Sequence, residues 1–182
     1  MADEKKPTRR ALMAAPAILA AGAAPAAAQT GLPPAGLTYV FSASVKVAPS
    51  VDFAGGDGGR RFIPITGGTV DGPRLKGVVL PGGADWQNIR ADGAADLTAR
   101  YALKAEDGAV IGVVNTGIRR GPPAVMARLR AGEAVDPALY YFRAAPVFDV
   151  GPGPHQWLTE SLFISIGARL PDEVRLAFYS VN

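Results

Sequence analysis

The sequence predicts an all-β protein: a closed antiparallel β-barrel of about eight or nine strands with one short helix. Three observations predict it. Short runs that alternate apolar and smaller or polar residues recur at a spacing of about 8–14 residues. Gly-Gly, Asp-Gly and Pro-Asp pairs separate these runs and supply the positive or preset φ that close turns demand. Only one stretch has helical spacing.

The chain opens with Thr8-Arg9-Arg10 and an apolar, Ala-rich run from Ala11 to Ala28 that closes on three alanines before Gln29. A charged start, a short apolar centre and a small-residue cleavage site are the form an export machine recognises. Paired arginines ahead of a weakly apolar centre suit the twin-arginine route. Residues 1–28 are therefore expected to be a signal peptide and the mature protein to be periplasmic or secreted. A membrane anchor fits the run less well, because Pro16, Pro25 and the many small residues are poor material for a helix that must cross roughly 30 Å of hydrocarbon.

Residues 29–36 read as a flexible lead-in, and 37–182 as one barrel domain. From Leu37 to Val47, Leu37, Tyr39, Phe41, Ala43 and Val45 alternate with smaller or polar residues, the mark of a half-buried strand. Further strands are expected near 60–66, 73–80, 84–90, 95–104, 109–116, 139–148, 161–169 and 173–181. Turns are expected at Gly-Gly 55–56, 58–59, 67–68 and 82–83, at Asp92-Gly93 and Asp107-Gly108, and at Pro171-Asp172. The helix is expected from Pro122 to Gly132: prolines open it, Val125, Met126 and Leu129 share a face, and Gly132 sits where a C-cap belongs. Its plainest role is a lid packed on the barrel end.

Composition excludes several classes of function. There is no cysteine, hence no disulfide framework, thiolate metal site or cysteine nucleophile. Residues 1–28 hold Lys5, Lys6, Arg9 and Arg10 against Asp3 and Glu4, so the formal charge of +3 falls to +1 for the remainder. With no basic run left, nucleic acid is not an expected partner. His155 is the only histidine and reads as a solvated loop residue, so no metal or cofactor is expected. Asp92, Asp96, Asp107, Asp136, Asp172 and Glu173 read as solvated turn or polar-face acids. No Gly-x-Ser-x-Gly elbow, Walker loop or dinucleotide fingerprint is present.

In a small barrel, the informative residue is a polar one on the apolar parity. Arg61 shares parity with Ile63 and Ile65, Tyr101 with Leu97 and Leu103, Asn115 with Ile111 and Val113, and Arg143 with Tyr141, Ala145 and Val147. Pro81-Gly82-Gly83 is expected to turn the chain at a barrel rim, after which either Asp85 or Trp86 faces inward. An inward Asp85 would pair with Arg61 or Arg143. Such a pair is either a structural seal or part of a ligand site. Tyr101, Tyr140, Tyr141, Phe142 and Trp157 either line a cavity or fill the core.

The strings "GRRFIPITGGTVDGPRLKGVVLPGGADWQNIRADGAADLTARYAL" and "DGAVIGVVNTGIRRGPPAVMARLRAGEAVDPALYYFRAAPVF" resemble the bacterial and fungal family catalogued as domain of unknown function 3237, or uncharacterised protein family 0311. The resemblance spans roughly Leu37 to Val181. It implies a compact antiparallel β-barrel and no assigned activity.

Three readings of function follow. In the first, the barrel binds a small aromatic or anionic organic molecule, with Arg61, Asp85, Trp86, Tyr101, Asn115, Tyr141, Arg143 and Trp157 lining the interior. In the second, a cofactor-independent isomerase, cyclase or hydratase uses Asp85 or Tyr101 to move a proton and Arg143 to stabilise an oxyanion. In the third, the barrel is a scaffold or interaction domain with a solid interior.

Overall fold

The computed structural model describes residues 32–53 and 59–182. The expected signal peptide, the first three residues of the lead-in and the Gly-Gly at 55–56 lie outside the described residues. Residues 35–182 form one compact unit. Ten strands run in chain order: β1 (Leu37–Val47), β2 (Val51–Phe53), β3 (Arg60–Asp71), β4 (Gly77–Val79), β5 (Ala84–Ile89), β6 (Ala95–Ala105), β7 (Val110–Arg120), β8 (Tyr141–Asp149), β9 (Phe163–Arg169) and β10 (Glu173–Val181). The helix α1 (Pro123–Arg130) connects β7 to β8.

Every pairing is antiparallel, and β1, β10, β9, β8, β7, β6, β5 and β3 close into an eight-stranded barrel through the β1–β3 pairing. The strands β2 and β4 are additions to this ring. The seams are unequal. Ten register pairs join β6 to β7, running from Ala95↔Arg119 to Lys104↔Val110. Two join β8 to β9, Arg143↔Ile166 and Ala144↔Ser165.

Pro81-Gly82-Gly83 is not the rim turn expected from sequence. β4 and β5 run in the same direction between the same two neighbours: β4 pairs with Gly68–Val70 and Leu103–Ala105, and β5 continues on Pro64 and Arg100. They are one stave interrupted by a bulge, which Ile65 N donating to Gly83 O (2.8 Å) and Gly82 N donating to Ile65 O (3.2 Å) tie to β3. Glycine is needed here because Gly82 has φ +100°, and a Cβ on Gly83 would stand 2.5 Å from Arg100 O and 2.6 Å from Tyr101 Cβ.

The interior has two halves of different character. At one end Phe41 stacks on Phe178 at 4.5 Å between ring centroids, and Phe148 and Phe163 pack edge-on at 5.1 Å, with Leu103, Ile111 and Leu158 filling the gaps. This aromatic plug is solid core. Towards the other end the inward residues are smaller or polar, and α1 closes over them with Met126 and Leu129 buried. Pro123 at the start of α1 supplies a preset φ where no amide donor is required.

Two acid and base assignments differ from the sequence reading. Glu173 is buried rather than solvated: it accepts from Ser44 Oγ (2.7 Å), Lys46 Nζ (3.0 Å) and Arg175 Nε (2.7 Å). These partners hold its carboxyl down at about 2. His155 is largely covered and bonds through Nε2 to Asp107 Oδ2 at 3.0 Å. Both cases arise because a strand-end or loop residue meets a partner far along the chain, which local composition does not register.

Candidate functional site

The polar half of the interior encloses a cavity of about 40 Å³. Its polar lining comes from Asp85 and Gln87 on β5, Tyr101 on β6, Asn115 and Arg119 on β7, and Arg169 on β9. Val45, Ile63, Leu97, Ala99 and Ala144 are among its apolar walls. Such a volume holds a few water-sized groups.

The strand period places these side chains. Asp85 and Gln87 are two apart on β5, so once the bulge sets Asp85 inward, Gln87 follows and Trp86 must face out. Trp86 is 48% exposed and packs on Phe62 and Phe53 outside the barrel. Asn115 and Arg119 are four apart on β7 with Gly117 between them. Gly117 lets β8 approach, since a Cβ there would meet Ala144 Cβ at 2.4 Å.

Asp85 is not paired directly with an arginine. Gln87 stands between: Arg61 Nε donates to Gln87 Oε1 at 2.9 Å, Arg119 Nη2 donates to the same oxygen at 3.4 Å, and Gln87 Nε2 donates to Asp85 Oδ2 at 2.6 Å. Burial raises the Asp85 carboxyl above the ordinary carboxylate range, against the opposing pull of the Gln87 bond and the charges of Arg119, Arg61 and Arg169. Burial likewise lowers Arg119 to about 10, and the neighbouring charge of Arg61 adds to the effect. Burial, with the Asp85 charge second, pushes the Tyr101 hydroxyl up, so it stays protonated.

Three buried polar atoms in this one cavity have no hydrogen-bond partner among the described residues: Asp85 Oδ1, Tyr101 OH and Arg119 Nε. Asn115, by contrast, is satisfied by Ser165, to which its Nδ2 donates at 3.2 Å. A folded protein leaves few such groups unpaired, and three on one wall are costly unless something else meets them.

The eight residues expected from sequence to line the interior divide. Asp85, Tyr101 and Asn115 line the cavity. Arg61 lies just beyond it, in a smaller space under α1 that it shares with Arg119 and Arg130. The other four line neither space. Trp86 is outside for the reason given. Tyr141 and Arg143 are on the outer face of β8, where Arg143 lies over the Tyr141 ring at 5.3 Å and bonds Phe142 O, so Arg143 neither pairs with Asp85 nor faces the cavity. The inward parity of β8 is Phe142, Ala144, Pro146 and Phe148, wholly apolar, whereas the outward parity carries Arg143 and Asp149 among Tyr141, Ala145 and Val147. Trp157 caps the plugged end, with the Arg74 guanidinium 3.7 Å above its ring. Gln87, Arg119 and Arg169 were not among the residues expected. The signal for Arg119 was available, since period two from Ile111, Val113 and Asn115 reaches it when β7 is carried past 116.

Residues 35–181 match the model of a family described as protein of unknown function (DUF3237). The chain is 46% identical over 145 residues to a UPF0311 protein of Rhodopseudomonas palustris, covering 79% of this chain and 94% of that protein. A crystal structure of a conserved protein of unknown function from the same species superposes with a TM-score of 0.80 at 41% identity, covering 83% of this chain and 100% of that one. The structure of a beta-barrel like protein from Acinetobacter baumannii superposes with a TM-score of 0.73 at 35% identity, covering 85% of this chain and 100% of its own.

Proposed function

The chain belongs to the DUF3237 family, whose description assigns no function, and from the site itself we propose that this barrel binds a small organic molecule by its hydroxyl or carbonyl end. One observation carries the reading: Asp85 Oδ1, Tyr101 OH and Arg119 Nε are buried and unpartnered among the described residues, and all three residues line the same cavity. The protonated Tyr101 hydroxyl and the Arg119 N–H are donors, and the Asp85 oxygen accepts when ionised and donates when protonated. An oxygen function with one or two lone pairs and a proton complements this set, while the apolar walls take the carbon frame. The reading includes export, supported by Arg9-Arg10 and the apolar run that follows them.

Calorimetric titration of the protein with methyl 3-hydroxybutyrate, a small neutral hydroxy-ester, tests it. Binding to the wild type is expected, weakened about tenfold in Tyr101→Phe, a loss equivalent to one neutral hydrogen bond. Affinity unchanged by Tyr101→Phe, or no binding at all, would overturn the reading.

A second reading is favoured by Asp85 in particular. A carboxyl raised by burial above the ordinary carboxylate range, beside a protonated phenol and a buried guanidinium, is the equipment of proton transfer at a carbonyl: Asp85 or Tyr101 moves the proton and Arg119, in place of the expected Arg143, steadies the oxyanion. A cofactor-independent isomerase, cyclase or hydratase fits that equipment.

A further inference from the structure

Under α1, next to the main cavity, is a second space of about 10 Å³. Three of its lining residues are arginines from three separate elements: Arg61 on β3, Arg119 on β7 and Arg130 on α1; the others are Ile89, Gly93, Ala95 and Met126. No acid lines it. None of the three guanidinium groups has an ion pair among the described residues, whereas Lys46, Arg90, Arg128 and Arg175 each have at least one. Asp85, the one acid among the described residues that line the main cavity, is separated from Arg61 by Gln87, and Asp52 on β2, opposite Arg61, acts on it through charge without forming an ion pair. Arg119 is 3% exposed and its Nε is unpartnered. Gathering like charges in and beside a low-dielectric interior is unfavourable unless a counter-charge arrives from outside.

We propose that Arg61, Arg119 and Arg130 form an anion subsite continuous with the main cavity, and that the ligand is a small hydroxy- or oxo-carboxylic acid held at both ends. Arg119 lines both spaces and joins them. The hydroxyl or carbonyl end of the ligand meets Tyr101 and Asp85, which is the part that rests on the proposed function. The carboxylate end meets the arginines, whose planar N–H forks match a carboxylate's two oxygens. The space has room for about one oxygen-sized atom, which fits one carboxylate oxygen with the other towards the exposed Arg130. A tetrahedral phosphate overfills it.

The test compares three probes on the full chain at constant ionic strength: sodium 3-hydroxybutyrate, its neutral methyl ester and inorganic phosphate. Arg130→Gln is the variant, chosen because Arg130 is exposed and its loss leaves the core intact. The acid is expected to bind the wild type at least tenfold more tightly than the ester. Arg130→Gln is expected to weaken the acid about fivefold and leave the ester unchanged. Equal binding of acid and ester, or acid binding indifferent to Arg130→Gln, overturns the anion subsite while the cavity reading stands. Phosphate binding as tightly as the acid, and equally dependent on Arg130, overturns the assignment to carboxylates. Absence of binding by both acid and ester overturns the cavity reading and this inference with it. A separate readout needs no hydroxyl end: thermal stabilisation by acetate over chloride at equal ionic strength is expected in the wild type and not in Arg130→Gln. Its absence from the wild type also overturns the subsite.

Discussion

Gln87 holds Asp85 by a 2.6 Å hydrogen bond from its amide nitrogen to Oδ2, and through its amide oxygen keeps Arg61 one residue away from that carboxylate. A direct ion pair would have lowered the Asp85 carboxyl; the interposed neutral amide leaves burial as the larger influence, and the carboxyl is raised.

The sign of a pH dependence follows. A raised folded-state value means that the native protein binds more protons than the unfolded chain above about pH 3.8, so Asp85 costs stability increasingly as pH rises from there through its folded value. Asp85→Asn, which keeps the shape and the Gln87 bond, is expected to be more stable than the wild type at pH 8, by about 1.4 kcal/mol for each unit of upward displacement. The two proteins should converge as pH falls towards 4 in urea unfolding. A variant less stable at every pH would show that Asp85 is a stabilising anion.

Glu173 runs the other way. Its carboxyl is held at about 2, below the ordinary 4.5, so its contribution is complete above pH 4.5 and is lost as pH falls towards 2. Lys46 and Arg175 are themselves half or more exposed, and solvent screens them, so Glu173→Gln is expected to cost about 1 kcal/mol at pH 7 and nothing near pH 2. Acid-titration curves of the two proteins check it.

Gly83→Ala puts a methyl group against backbone that cannot retreat, and is expected to cost about 2–4 kcal/mol. Gly93→Ala is the control. Its φ of +83° is strained for alanine but the space around it is open, and a cost of about 1 kcal/mol is expected. Chemical denaturation of both separates steric exclusion from conformational preference.

Arg143→Met is expected to change unfolding free energy by less than about 1 kcal/mol, since the side chain lies on the outer wall over Tyr141 and bonds only a neighbouring carbonyl. A loss of several kcal/mol would place it in the interior after all.

If the precursor is exported as proposed, intact mass of the native protein should show an N-terminus near Gln29. Arg9→Lys with Arg10→Lys should leave the precursor uncut. A mature protein that retains residues 1–10 would end the proposal.

The barrel and most of its strands were legible because an alternating strand with one polar face declares which way it points. β6 does so, with Asp96, Thr98, Arg100 and Lys104 opposite Leu97 and Leu103; on β3 and β7 it is the inner run, Ile63 and Ile65 or Ile111 and Val113, that gives the direction, and Arg61, Tyr101 and Asn115 share those inner parities. On β8 the outer parity mixes Tyr141, Ala145 and Val147 with Arg143 and Asp149, and its apolar members invite an inward reading of Arg143; the wholly apolar run Phe142, Ala144, Pro146 and Phe148 is the face that turns in. The bulge at Leu80–Gly83 looks like a corner in sequence because Pro-Gly-Gly is chemically suited to either. Only the pairing of β4 and β5 with the same neighbours distinguishes them. Gln87 escaped notice because amides attract no suspicion in a strand; its importance comes from the charges on either side of it, which belong to β3 and β7.

The two-rung seam between β8 and β9 has a consequence for how anything larger than the resting cavity reaches Asp85. β6–β7 and β7–β8 are joined by ten and nine register pairs and β8–β9 by two, so local opening is expected first at the β8–β9 seam. Arg169, which lines the cavity, and Ala144, which forms its wall, both belong to the strands of that seam. The sparsest seam of the barrel thus runs beside the cavity, and amide hydrogen exchange of Ala144 and Ile166 is expected to run ahead of that of their counterparts along β6 and β7.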